Sequence, residues 1–346
     1  MATTSGVPAH RIVHYRFGEP GDVLRVEDSP PRAPLGPNEV RVRVTRSMIH
    51  PGDLQIIAAR YSPSRDEIPQ GRVPGSEGVG IVEEAALGAL DGTGIKEGTR
   101  VAFLADSAWQ SSLVLPACSL VIIPDDMADD VATQILVNTV TARHVLRTGE
   151  RILGYRPSHV VLTAAASAVG KLITVLALRD GLPLTRLVRS PESAARLAEL
   201  LPGDDIVATG TTGWQDAVRD AAGGNIPLVI DGVGGPMIAE SGWLLNVGGA
   251  LISFGLLDGS PADLTMFLPK ALTLRGATIG TWAADTAADE QAQDIAAAVD
   301  VARTATRVFE GSRVFQLSDL GAAIDAVTAP TKTGNVLLAF QDISHV

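Results

Sequence analysis

Apolar positions recur with two different spacings along the chain, and the change falls near Asp125. Ahead of it, Val40-Arg-Val-Arg-Val-Thr45 alternates apolar and polar residues, the pattern of a strand with one buried face. Ser47-Met-Ile-His-Pro-Gly-Asp53 breaks that strand, and Leu54 to Arg60 reads as a short helix that stops before Tyr61. The turn-rich Val73-Pro-Gly-Ser-Glu-Gly-Val-Gly80 leads into a strand at Val79–Glu83, and Gly98–Leu104 supplies another. Short strands divided by Gly and Pro turns predict a small β-barrel here.

Beyond Asp125 helices alternate with strands. Asp129 to Leu146 reads as helical and places Asn138 and Thr141 one turn apart on a single face. Strands are predicted at Val160–Leu162, Thr185–Arg189, Ile206–Ala208, Leu228–Asp231 and Ala250–Phe254, with helices between them from about Ala168, Pro191, Trp214 and Pro236. That alternation implies an open, doubly wound parallel sheet covered on both faces. Leu272–Gly276 is a candidate sixth strand, Ala287–Glu310 an alanine-rich helix and Thr333–Phe340 a closing strand. The segment beyond Gly276 is small for a domain of its own and is expected to rejoin the first one. The expectation is therefore an α/β chain with a β-rich domain over residues 1–133, a nucleotide-type sheet over 134–276 and a returning segment over 277–346.

Composition removes several function classes. A formal net charge of −11, with no clustered basic stripe, argues against nucleic acid. Cys118 is the only cysteine, so neither an intrachain disulfide nor a thiolate-rich zinc site can be built. His10, His14, His50, His144, His159 and His345 lack the paired spacing of ligands, and no metal is expected. The longest apolar run, Leu113–Ile123, holds Pro116 and Ser119 and is too short for a membrane span. Met1–Pro8 shows no secretory or transit pattern, which predicts a cytoplasmic protein.

The stretch with chemistry in it is His159-Val-Val-Leu-Thr-Ala-Ala-Ala-Ser-Ala-Val-Gly-Lys171, a buried strand, a small-residue turn and a helix start. Such a turn lets backbone approach a pyrophosphate, and Ser167, Ala168, Val169 and Gly170 offer helix N-terminal amides to its charge. It is glycine-poor beside the G-x-G-x-x-G pattern, with Ala165 and Ser167 in the middle positions. About twenty residues beyond Gly170, where such folds read the adenosine ribose, stand Arg189 and Ser190 rather than an acid. A cation and a hydroxyl suit a 2′-phosphate, so NADPH is the cofactor expected. The plainer alternative is a solvated arginine at a strand end and a serine capping the next helix.

These features together resemble the medium-chain dehydrogenase/reductase superfamily. Ser167-Ala-Val-Gly170 is similar to the zinc-free 2-enoyl thioester reductases of the mitochondrial trans-2-enoyl-CoA/ACP type. So are His50-Pro-Gly-Asp53 followed by Tyr61, Trp109, Val137-Asn-Thr-Val-Thr-Ala142, Asp231-Gly-Val-Gly-Gly235, Phe254-Gly255 and Gly280-Thr-Trp282. The resemblance implies a GroES-like β-rich catalytic domain joined to a Rossmann doubly wound parallel sheet. It implies Tyr61 as proton donor, and Asn138, Thr141, Phe254, Gly255, Trp282 and Asn335 near the cofactor. Trp109 and Trp282 would line an acyl pocket, with core or dimer contacts as the alternative. His50 replaces the family's asparagine, and Asn335 falls where a lysine is common. Glu77 reads as the remnant of a loop that carries a zinc ligand in other branches.

The reaction so implied adds hydride to Cβ and a proton to Cα of an α,β-unsaturated thioester. Tyr61 would supply the proton, or would serve only as an aromatic lid. A quinone or enone reductase using NADPH, and a non-catalytic dinucleotide-binding relative, are the alternative functions. A homodimer and a small-molecule acyl thioester or enone partner are expected by resemblance.

Overall fold

The computed structural model describes residues 9–61, 67–329, 332 and 334–340. The chain forms two compact units, residues 1–137 with 309–346, and residues 138–308.

The first unit opens with β1 (His10–Val13), α1 (Pro20–Val23) and β2 (Arg25–Asp28), the strands pairing antiparallel. There follow β3 (Glu39–Met48), α2 (Pro51–Ile57), β4 (Glu77–Ala85), β5 (Arg100–Leu104), β6 (Ser112–Pro116), β7 (Leu120–Ile122) and α3 (Asp129–Ala132). Helix α2 starts earlier than predicted because Pro51 fits the first helical position and the Asp53 carboxylate takes the His50 N–H at 2.9 Å.

The second unit holds α4 (Leu136–Leu153), β8 (Val160–Leu162), α5 (Ala168–Arg179), β9 (Leu184–Val188), α6 (Pro191–Leu200), β10 (Ile206–Ala208), α7 (Trp214–Ala221) and β11 (Leu228–Asp231). It continues through α8 (Pro236–Leu244), β12 (Ala250–Ser253), β13 (Thr273–Gly276), α9 (Ile279–Asp285) and α10 (Ala288–Thr304). Six parallel strands run in the order β10-β9-β8-β11-β12-β13. Relabelled by position in the chain this is 3-2-1-4-5-6, the order of a dinucleotide-type doubly wound sheet. Val160, Val161 and Leu162 are wholly buried, as a central strand covered on both faces requires.

After α10 the chain returns through β14 (Arg313–Gln316), α11 (Leu320–Thr328) and β15 (Val336–Ala339). These strands complete the first unit's sheet in the order β14-β15-β3-β4-β5-β7, with β6 paired to the other part of β3. The alternation in Val40–Thr45 is real, with Val40, Val42 and Val44 all at 0% exposure in the core.

Three sequence expectations are corrected. The helix expected over Asp129–Leu146 is two, α3 and α4, because Gln134 and Thr133 turn their side chains onto the carbonyls of Asp130 and Asp129 and interrupt it. Helix α9, closed by a reciprocal Thr278–Thr281 cap, is an element the pattern does not predict, and Ala287–Glu310 is α10 followed by a short 3₁₀ turn. The return to the first unit begins at Phe309 rather than at 277, since α9 and α10 stay with the doubly wound sheet. Among the described residues no helix is long and apolar enough to cross a membrane.

Candidate functional site

In the second unit the strand order reverses between β8 and β11, so the loops at the carboxyl ends of these neighbours flank a crevice suited to a ligand. The turn after β8 is drawn tight. Ala164 has φ 49°, the Ser167 N–H donates to the Ala164 carbonyl at 2.8 Å, and Ser167 Oγ caps α5 by accepting the Gly170 N–H at 3.0 Å. Lys171 N–H goes to the Ser167 carbonyl at 2.9 Å. The N–H groups of Ala168 and Val169 are left without an acceptor among the described residues. Two such amides at the start of a twelve-residue helix are the arrangement that can take an anion. Gly170 is indispensable there: a Cβ would lie 2.4 Å from the Ala164 carbonyl oxygen.

Strand β9 and helix α6 carry the residues expected on the adenosine side. Arg189 is exposed just past β9, and Ser190 caps α6 by accepting the Ser193 N–H at 3.3 Å. A second guanidinium, Arg196, donates to Ser193 Oγ at 3.1 Å. An acid is present as well: a hydrogen bond from Ser190 holds the Glu192 carboxyl below the usual range. Beneath them the fully buried Arg186 grips Asp205 bidentately at 2.7 Å, which anchors the strand that presents Arg189.

Across the crevice, Phe254 and Gly255 follow β12, and the Phe254 ring packs where a Cβ on Gly232 would lie 2.4 Å away. Asp231, which in the sequence is only one letter of a motif, is wholly buried, and burial pushes its carboxyl up. Asn138 and Thr141 sit buried in the first turns of α4.

In the first unit sequence reasoning notes Glu77 but misses its role. One carboxylate oxygen meets His50 Nε2 at 2.8 Å, and the other accepts the N–H groups of Leu136 and Val137 at 3.0 and 2.9 Å, capping α4. His50 lies above its ordinary pKa: burial pushes it down, but the hydrogen bond and charge of Glu77 outweigh that, with Asp53 assisting and Lys332 opposing. Asp53 accepts the Ser76 hydroxyl at 2.5 Å and is raised by burial. With the His50 N–H on its other oxygen, it holds the turn into α2. Tyr61 lies beyond α2 with 47% of its surface exposed, immediately before the segment 62–66, which falls outside the described residues. No cluster of three or more His, Cys, Asp and Glu able to hold a metal occurs among the described residues.

Three expected site residues are committed elsewhere. Trp109 has no exposed surface, its indole N–H donates to the Met48 carbonyl at 3.0 Å, and it belongs to the core rather than to a pocket wall. Trp282 donates to Asp294 at 2.8 Å, inside a knot in which Arg143 and Arg147 also hold that buried carboxylate. The Asn335 amide donates to Gln134, and its backbone carbonyl takes the Arg313 N–H at 2.8 Å. Each gives its side-chain N–H to the protein itself.

Residues 36–118 match the alcohol dehydrogenase GroES-like domain. The mitochondrial enoyl-[acyl-carrier-protein] reductase of Bos taurus is 26% identical over 337 residues, covering 94% of this chain and 87% of that protein. A Pseudomonas syringae quinone oxidoreductase structure is 26% identical with a TM-score of 0.79, covering 96% of this chain and 99% of the other. A mycobacterial structure complexed with NADPH gives the same identity, TM-score and coverage. Strand order, the β-rich first unit and these likenesses agree: residues 36–118 carry an alcohol dehydrogenase GroES-like domain, and the chain as a whole resembles the enoyl thioester and quinone reductases of the medium-chain dehydrogenase/reductase superfamily.

Proposed function

We propose that the chain is an NADPH-dependent reductase of the carbon–carbon double bond of 2-enoyl thioesters. The observation that carries this reading is the turn into α5, whose Ala168 and Val169 amides lack acceptors among the described residues in a sheet of dinucleotide order. The enoyl substrate is supported by the likeness to the Bos taurus enoyl reductase along 94% of the chain.

On this reading residues 166–170 hold the pyrophosphate, Arg189 with Ser190 holds the 2′-phosphate, and Asn138, Thr141, Phe254 and Gly255 serve the nicotinamide half. A bound NADPH would supply hydride to Cβ. The negative charge that this would place on the thioester carbonyl oxygen would be discharged by Tyr61, as proton donor to Cα. A phenol, with an ordinary pKa of about 10, is still protonated at neutral pH, and a placed acid contributes roughly 10²- to 10⁴-fold. Ser190 accepts the Ser193 N–H and turns its own hydroxyl proton to its neighbours within α6, so the choice of NADPH over NADH rests chiefly on Arg189. Arg189→Ala is expected to weaken NADPH by about tenfold or more and to leave NADH nearly unchanged in a fluorescence titration. The strand β13, exposed at all four residues on the rim of its sheet, is the edge on which a second copy would pair; light scattering reads the mass.

The deciding experiment measures loss of NADPH absorbance with crotonyl-CoA and with benzoquinone. Turnover of the thioester alone supports the proposal, and turnover of the quinone alone replaces it with the quinone reading that the Pseudomonas syringae likeness favours. Tight NADPH binding without turnover of either substrate would identify a non-catalytic relative. A Tyr61→Phe protein that keeps full turnover with chemistry rate-limiting removes Tyr61 from the mechanism.

A further inference from the structure

Thr163 and Asp231 stand at the carboxyl ends of β8 and β11, the adjacent strands on either side of the reversal in sheet order. Both are buried, Asp231 completely. Thr163 Oγ1 donates to Asp231 Oδ1 at 2.5 Å and accepts the Gly232 N–H at 3.0 Å. The same carboxylate takes the N–H of Val233 at 3.2 Å and of Gly234 at 2.8 Å. The loop it gathers has little stiffness of its own, since Gly234 and Gly235 sit at φ 80° and 52°. All of these donors are neutral, and no cation figures among the causes of the carboxyl's displacement. A carboxylate stripped of water and given only neutral partners is an expensive way to close a loop. What it accomplishes is to tie the Thr163–Ser167 turn to the Gly232–Gly235 loop at a fixed spacing.

We propose that Thr163 and Asp231 are a positioning pair for the nicotinamide half of the dinucleotide, fixing the loop on the β11 side of the crevice against the pyrophosphate cradle. The inference rests on the dinucleotide reading above. In a sheet of this order the two nucleotide halves lie on opposite sides of the reversal. With the adenosine phosphate assigned to β9 and α6, the β11 loop faces the other half. Breaking the pair then loosens one end of the ligand and spares the other.

The test is a fluorescence and calorimetric titration of wild type, Asp231→Asn, Thr163→Val and Thr163→Ser with NADPH and, separately, with 2′,5′-ADP, which carries the adenosine half alone. Asp231→Asn and Thr163→Val are expected to weaken NADPH by about tenfold or more, the scale of a lost hydrogen bond to a charged acceptor, with 2′,5′-ADP held within about twofold. Thr163→Ser keeps the hydroxyl and is expected to bind both ligands as wild type does. Equal weakening of both ligands, or no weakening of NADPH, overturns the proposal. Should Asp231→Asn fail to fold, Thr163→Val carries the same comparison, because Asp231 retains its two amide donors. If wild type takes up neither ligand, the cofactor reading itself has failed, which the first titration shows before any variant is made, and the positioning role falls with it.

Discussion

Two buried carboxylates, one in each unit, do similar work by different means. Asp231 gathers a glycine loop with neutral donors only, whereas Glu77 gathers the first amides of α4 and adds the imidazole of His50. Both replace water with backbone N–H groups. Glu77, however, has a partner that can carry charge, and so the first unit's site responds to protonation where the second unit's cradle responds to shape. The cradle is held by sterics, seen in Gly170 and Ala164. The cluster around Glu77 is held by electrostatics.

The largest expected effect comes from removing the charged hub. Glu77→Ala leaves His50 and two helix amides unsatisfied in the core, and a loss of about 3–5 kcal/mol in urea unfolding is expected, the usual scale for breaking a buried pair. Gly170→Ala probes the steric hub. Its Cβ meets backbone that cannot swing aside, so about 1–3 kcal/mol of stability and most of the NADPH affinity should be lost, read by melting and by titration. If Gly170→Ala binds NADPH normally, the contrast between shape and charge collapses.

A smaller effect sharpens the electrostatic side. Because the folded pKa of His50 is raised, its contribution to stability is full below the unfolded imidazole value of about 6.5 and is lost as pH rises through the folded value. Wild type should therefore lose stability relative to His50→Asn as pH rises above about 6.5, read from urea midpoints. Asp53, raised by burial, also gives up stabilisation as pH rises, starting from the ordinary carboxylate value rather than from the imidazole one. Ala164→Gly should change least. The left-handed backbone at Ala164 is relieved by glycine, and a stability change within about 1 kcal/mol is expected, with the cradle intact.

The difference between local and distant causes also explains what could be read from the chain. Strands β10 and β11 and the start of α6 are legible because their signals are contiguous: an apolar run, or Ser190-Pro191 as cap and first position. The start of α4 is not, because its cap is Glu77, 59 positions upstream of Leu136. Trp282 looks like a pocket residue by resemblance, yet its indole belongs to Asp294, and no local pattern announces that bond. Asn335 likewise answers to Gln134. The cradle is visible because strand, turn and helix follow one another directly, while the Thr163–Asp231 bond joins residues 68 apart and needs the folded sheet to show it.

Helix α4 begins in one unit and continues in the other, and its first amides are closed by a side chain from β4. A chimera that grafts residues 136–308 onto another β-rich partner would carry the whole of α4 yet leave its first amides uncapped unless Glu77 travels with it. An exchange of segments that takes Leu136 and Val137 without Glu77, or Glu77 without them, leaves a carboxylate oxygen or two amides without a partner, so a workable crossover keeps both or neither.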